Sequence, residues 1–116
     1  MLFRSGDGRK PPSPVLMDPR GTMLGERQRA WLESGLERSS ATWNILAQQV
    51  MMARVDLARG RDVLYSMDQW PGYLHERAEI LRFLVDRRIA NPIVLTGDIH
   101  AHYVNELRIE IGRAHV

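Results

Sequence analysis

The sequence predicts an α/β fold, and three observations lead there. An amphipathic segment at 74–88 is followed at once by a short β-branched run, Ile93-Val94-Leu95-Thr96, held between Pro92 and Gly97. A helix followed by such a strand is the alternation expected of α/β folds. A second apolar run at 43–50, short and mostly unbroken, suits a strand covered on both faces. The composition is that of an ordinary folded domain: 116 residues, 44% hydrophobic and 26% charged. That length fits one small domain rather than two.

The elements follow in chain order. Residues 6–21 are rich in Gly, Pro and charge, with Pro11, Pro12 and Pro14 close together. Each proline removes a backbone donor, so this stretch is expected to form no regular element. The spacing predicts a helix over 26–38. Ala30, Trp31, Leu32 and Leu36 form its apolar stripe, and Glu26, Arg27, Arg29, Glu33 and Glu37 fall largely outside it. Ser39 and Ser40 follow as a turn. The strand at 43–50 places Trp43, Ile45, Leu46, Val50 and Met51 among polar Asn44, Gln48 and Gln49. Residues 53–62 read as a loop turning at Gly60, and 66–73 as a second loop closed by Pro71-Gly72. In the helix at 74–88, Leu74, Ala78, Leu81, Leu84 and Val85 recur at helical spacing and Phe83 widens the stripe. Arg87 and Arg88 stand in its last turn, favourable for the helix dipole, and Asn91-Pro92 ends it. After the strand at 93–96, the alternation over 103–109 predicts one more.

Composition excludes several function classes. The chain has no cysteine, which rules out disulfides, iron–sulfur clusters and thiolate zinc sites built from its own residues. No apolar run approaches the roughly 20 residues of a membrane-spanning helix, and no signal-peptide apolar region follows Met1. The net charge is only +2. Arginines are mixed with acids, as in Glu26-Arg27-Gln28-Arg29 and Glu76-Arg77-Ala78-Glu79. Such stretches read as solvated helix faces and not as a nucleic-acid footprint, which would be clustered. Trp31, Trp43 and Trp70 read as packing residues, and Met51-Met52 as core.

The informative stretch is Leu95-Thr96-Gly97-Asp98-Ile99-His100. A buried strand runs into Gly97 and then delivers Asp98 and His100 two residues apart. On extended backbone these side chains point the same way. They would converge beyond the carboxyl end of the strand, where open α/β sheets bind ligands. Gly97 would let the backbone turn and pass close to a ligand. A carboxylate with a neutral imidazole is part of a hard or borderline metal site. The competing reading is an Asp cap beside a surface His. His102 reads as an exposed loop residue that could reach the site, and His75 as solvated. Asn44, Gln48 and Gln49 could serve a pocket as donors behind the ligands or bond within the sheet.

Several blocks together resemble the PhoD-like alkaline phosphatases, calcineurin-like metallophosphatases of bacteria and fungi. They are Gly6-Asp7-Gly8-Arg9, Thr22-Met23-Leu24-Gly25 with Gln28 and Trp31-Leu32, Trp43-Asn44-Ile45-Leu46-Ala47-Gln48-Gln49-Val50, Asp68-Gln69-Trp70-Pro71-Gly72-Tyr73, and Leu95-Thr96-Gly97-Asp98-Ile99-His100. Their order and spacing fit across nearly all of residues 6–109. The resemblance implies a β-sandwich flanked by helices and a centre of iron with calcium. It also implies hydrolysis of phosphate monoesters or diesters by a metal-bound hydroxide. Asp98 and His100 would be metal ligands, with Gly97, Asn44, Gln49 and His102 as possible pocket residues. Pro71 departs from the family, which usually has an acid there, and His102 stands where a small residue is common. The substrate would be a phosphate ester, and the parent enzyme would be exported. Two other readings compete: a non-enzymatic binding module, or part of another metallophosphoesterase. Nucleases and purple acid phosphatases of that superfamily usually show G-H-x-H where this chain has Gly97-Asp98-Ile99-His100.

The resemblance also places the family's earlier ligand blocks before residue 6. The chain is therefore expected to be part of the C-terminal half of a longer catalytic domain, inactive alone and with uncovered apolar edges. Residues 110–116 correspond to GAG-ATC-GGA-AGA-GCA-CAC-GTC, which matches a common short-read sequencing adapter. Residues 1–5 correspond to GTG-CTC-TTC-CGA-TCT, its reverse complement. The expected organisation is thus an adapter-derived tail at 1–5, a partial metallophosphatase domain at 6–109, and a second tail at 110–116.

Overall fold

A computed structural model describes residues 9–10, 17–54, 65–66 and 69–109. Strand β1 is Arg9–Lys10, helix α1 Glu26–Arg38 and strand β2 Asn44–Ala47. Strand β3 is Tyr65–Ser66, followed by a 3-10 turn at Trp70–Gly72, helix α2 at Leu74–Asp86 and strand β4 at Pro92–Leu95. β2 and β4 pair in parallel, Asn44 opposite Pro92 and Ala47 opposite Leu95. β1 and β3 pair antiparallel, Arg9 opposite Ser66. The two helices and the parallel pair agree with the α/β class. Among the described residues no helix is long and apolar enough to cross a membrane. Both terminal segments, 1–5 and 110–116, and the predicted turn at Gly60 lie outside the described residues.

The core gathers on α2. Leu74, Ala78, Ile80, Leu81 and Leu84 are buried, and Met52 and Trp70 pack with the last three. Burying each such aliphatic side chain stabilises the fold by about 1.5–3 kcal/mol. Met51-Met52 and Trp70 are core as expected. Val85, by contrast, is exposed, because the buried arc of α2 turns towards Ile80 instead.

Two charged residues occupy that buried arc, contrary to the expected solvated face. Glu76 and Arg77 are only 3% and 2% exposed. Each is buried because its polar atoms are satisfied. Glu76 accepts from the Met23 amide at 2.8 Å, the Leu24 amide at 3.1 Å and Thr22 Oγ1 at 2.5 Å. Thr22 Oγ1 in turn accepts from the Gly25 amide at 2.8 Å. This carboxylate thereby sets the entry to α1, where Gly25 takes φ 78°, a conformation that favours glycine. Arg77 donates Nε to the Met52 carbonyl at 2.7 Å and a terminal nitrogen to the Arg108 carbonyl at 2.9 Å.

α1 has the expected bounds but buries no residue. Trp31 is 72% exposed, and Ala30 is exposed as well, so only Leu32 and Leu36 of the expected stripe are half-buried. Polar bonds fasten α1 to α2: Arg29 bonds Glu33 at 3.0 Å within α1 and Glu79 across the gap. Burial pushes the Arg29 guanidinium down, but the hydrogen bonds that it donates to Glu33 and Glu79 outweigh it and hold the pKa above the ordinary value. His75, expected to be solvated, is half-buried and stands 3.5 Å from Glu79.

α2 stops earlier than its sequence predicts. Arg87 caps it, Arg88 takes φ 52°, the Arg88 amide bonds the Val85 carbonyl and the Ile89 amide bonds the Leu84 carbonyl. This is the bonding of a Schellman stop, with arginine at the position glycine usually holds. Arg87 and Arg88 therefore lie past the helix, and the Arg87 guanidinium sits 5.6 Å from the Phe83 ring centre.

Three further expectations are corrected. Arg9–Lys10 forms a short strand within the proline-rich stretch, possible because the prolines start only at residue 11. Residues 103–109 form no strand; the segment is held instead by Leu107 and Ile109 packing against the core and by Arg77 donating to the Arg108 carbonyl. Finally, β2 and β4 are not covered on both faces. Trp43 and Ile45 are each 58% exposed and Leu95 55%.

Candidate metal centre

The parallel ladder positions the candidate ligands. Past the ends of β2 and β4, the Gln48 amide donates to the Leu95 carbonyl at 3.0 Å and the Gly97 amide to the Gln49 carbonyl at 3.2 Å. Asp98 and His100 follow directly. Their backbone is not extended: Asp98 has φ 62° and His100 φ 57°. Aspartate and histidine are among the residues that tolerate this left-handed region. The two side chains nevertheless meet, His100 Nε2 lying 3.9 Å from Asp98 Oδ1. Convergence comes from two left-handed residues flanking Ile99, and not from strand alternation. Both side chains are solvent-facing, 66% exposed for Asp98 and 89% for His100.

Gly97 does less than the sequence suggests. Its φ is not positive, and an added Cβ would meet only the Gln49 carbonyl at an ordinary 3.7 Å. Within the described residues it is a hydrogen-bond donor at the strand end, not a forced glycine.

The other candidates divide. Asn44 is buried and donates Nδ2 to the Ala90 carbonyl at 2.7 Å, so it braces the turn before β4 and stands apart from the pocket. Gln49 contributes its backbone carbonyl to Gly97, and its side chain is exposed. Ile99 and His102 line an open, largely apolar groove of about 940 Å³ between β4, α2 and residues 103–109. Asp98 and His100 do not line it. The backbone thus sends Ile99 to the apolar side and the two polar side chains to solvent.

Donor chemistry fits a metal, since a carboxylate oxygen and an imidazole nitrogen suit hard and borderline cations. Donor number does not complete a site. Among the described residues no group of three or more His, Cys, Asp or Glu could hold an ion. Sequence reasoning missed the side-chain bond from Trp70 Nε1 to Gln48 Oε1 at 3.0 Å. The proximity of the two blocks that carry these residues was not readable from spacing.

The chain as a whole is similar to known proteins. The model of the PhoD-like phosphatase family matches residues 3–115. Alkaline phosphatase D of Bacillus subtilis (strain 168) is 39% identical over 109 residues, covering 94% of this chain and 19% of that protein. A solved structure described as the structure of PhoD matches with a TM-score of 0.74 and 41% identity, covering 81% of this chain and 18% of that one. The chain therefore spans about a fifth of the length of the relatives it matches. With its motif blocks in family order and its family match running over nearly its whole length, the chain belongs to the PhoD-like phosphatase family.

Proposed function

We propose that the chain is a ligand-bearing part of a metal-dependent phosphoric ester hydrolase, with Asp98 and His100 as two of its metal ligands. The observation that carries this is their meeting at 3.9 Å beyond the carboxyl end of β4, in a chain of this family. Calcium and iron suit the oxygen and nitrogen donors. When bound, such ions supply positive charge to phosphate oxygens and acidify a coordinated water. The chain's own part is to hold one carboxylate and one imidazole at a fixed separation, open to solvent. The substrate is a phosphate ester, in keeping with the relative's name, and export of the parent protein belongs to the same reading.

Two donors fall short of the roughly six to eight ligands that calcium takes. The isolated chain is therefore expected to show no turnover of p-nitrophenyl phosphate with calcium and iron. Robust turnover that Asp98→Ala abolishes would overturn the incomplete-site part of the reading. In a longer chain carrying this sequence, Asp98→Ala and His100→Ala should each lower bound metal at least about tenfold. Unchanged metal content in both would refute the ligand assignment.

A further inference from the structure

We propose that Gln48 and Trp70 are positioning residues for the Asp98–His100 pair, acting through the Gln49 carbonyl that holds Gly97. The inference rests on Asp98 and His100 being metal ligands, as argued above.

The pair receives little support from its own surroundings, since both side chains are mostly exposed. Along 97–109, Gly97 is the last described residue whose amide bonds a backbone carbonyl, and the carbonyl is that of Gln49. The placement of Asp98 thus depends on where Gln49 is held. Gln49 lies in the bend after β2, and the side chain of Gln48 straps that bend. Gln48 Nε2 donates to the Val50 carbonyl, and Gln48 Oε1 accepts from Trp70 Nε1 at 3.0 Å. Trp70 is only 2% exposed and belongs to the core cluster with Met52 and Ile80. A continuous path therefore runs from the core through the indole, the Gln48 amide and the Gln49 carbonyl to Gly97 and Asp98. It joins three sequence blocks that are far apart in the chain.

The residue types match the task. Indole is a donor only, and a carboxamide accepts and donates at once. Glutamine at 48 can take the indole proton and still give one to Val50. Glutamate keeps the first bond and loses the second, whereas leucine loses both. Polar strapping of a ligand-bearing loop from behind is how sites keep their geometry when the ligands themselves are wet.

The test uses the 116-residue chain, with Mn²⁺ as the probe. Amide hydrogen exchange is read at Gly97, with Leu81 in α2 as the reporter of global stability, and Mn²⁺ line broadening is read at Asp98 and His100. Trp70→Phe should speed Gly97 exchange about five- to tenfold, the size expected for one lost hydrogen bond, and Gln48→Leu, which loses two, by at least as much. Mn²⁺ binding should weaken by about tenfold, with Leu81 exchange unchanged. Gln48→Glu, which still accepts from Trp70, should restore Gly97 protection towards the wild-type rate. Wild-type Gly97 exchange in Gln48→Leu would overturn the proposal, as would Leu81 accelerating in the same proportion as Gly97. If Trp70→Phe disturbs the core, the Gln48 pair of variants still decides. Mn²⁺ broadening that survives Asp98→Ala would overturn the ligand reading itself, and Gly97 exchange would then still decide whether Gln48 and Trp70 hold this strand end.

Discussion

Helix α2 and the strand pair β2–β4 are both written in apolar residues, yet they bury them very differently. In α2, Ile80 is 1% exposed, and Leu74, Ala78, Leu81 and Leu84 are all buried. In the strand pair, Ile45 and Leu95 are more than half exposed, and Ile93 is 38% exposed. Stability therefore resides in α2 and the residues packed on it, whereas the candidate ligands hang from the less covered part. A two-stranded sheet is marginal by itself, and parallel strands normally have both faces covered. Within this chain the ligand end is tied to the core by the partial packing of Val94 and Val50 and by the Trp70–Gln48 hydrogen bond.

The largest expected effect that tests this contrast is at the core. Ile80→Ala should destabilise the chain by about 4 kcal/mol, the scale of a cavity left by a fully buried aliphatic side chain, measured by urea unfolding. A loss below about 1 kcal/mol would mean that α2 does not carry the core. Next is Glu76→Ala, which leaves the Met23 and Leu24 amides without their acceptor. A loss of about 2–3 kcal/mol is expected, and amide exchange in the first turn of α1 should rise before that in α2. Ile45→Thr, on the exposed strand, should change stability by no more than about 0.5 kcal/mol and reduce self-association in sedimentation runs. A core-sized loss there would erase the distinction between the two regions.

The smallest effect is a pH dependence at Asp18, outside the strand pair and near the start of α2. Asp18 accepts from the Arg20 guanidinium and the Arg20 amide, and these bonds hold its pKa at about 2, below the ordinary 3.8. A carboxyl depressed in the folded state adds stability above its unfolded pKa and loses it as pH falls through the folded one. The change thus lies between about pH 4 and pH 2. The Arg20 partner is largely open to solvent, so the effect is slight. An NMR titration should show the depressed midpoint, and Arg20→Ala should return it towards the ordinary value.

Much of this was legible in residue spacing. Helix α1 has the bounds that its periodicity predicts, and β4 differs from its predicted span by one residue at each end. The Asp98–His100 pair was legible as well, because a strand running into Gly-Asp-x-His is a local pattern. Long-range and satisfied-polar features were not. Glu76 and Arg77 look like surface charges until the backbone groups that they bond are brought near by folding. Trp31 and Trp43 look like core because size and apolarity favour burial, but both are exposed here. The left-handed φ at Asp98 and His100 was hidden for a related reason. Strand alternation predicts the same convergence, so the pattern does not reveal which backbone produces it.

The stop at the end of α2 has a consequence for insertions and deletions. Arg88 leaves the helix, Asn91 bonds the Thr42 carbonyl, and Pro92 starts β4 opposite Asn44. Residues 87–91 thus work as a fixed spacer between a helix end and a strand phase. Losing one residue there would shift β4 by one position against β2 and exchange its two sides. The length of this connection is therefore expected to tolerate change less well than its composition.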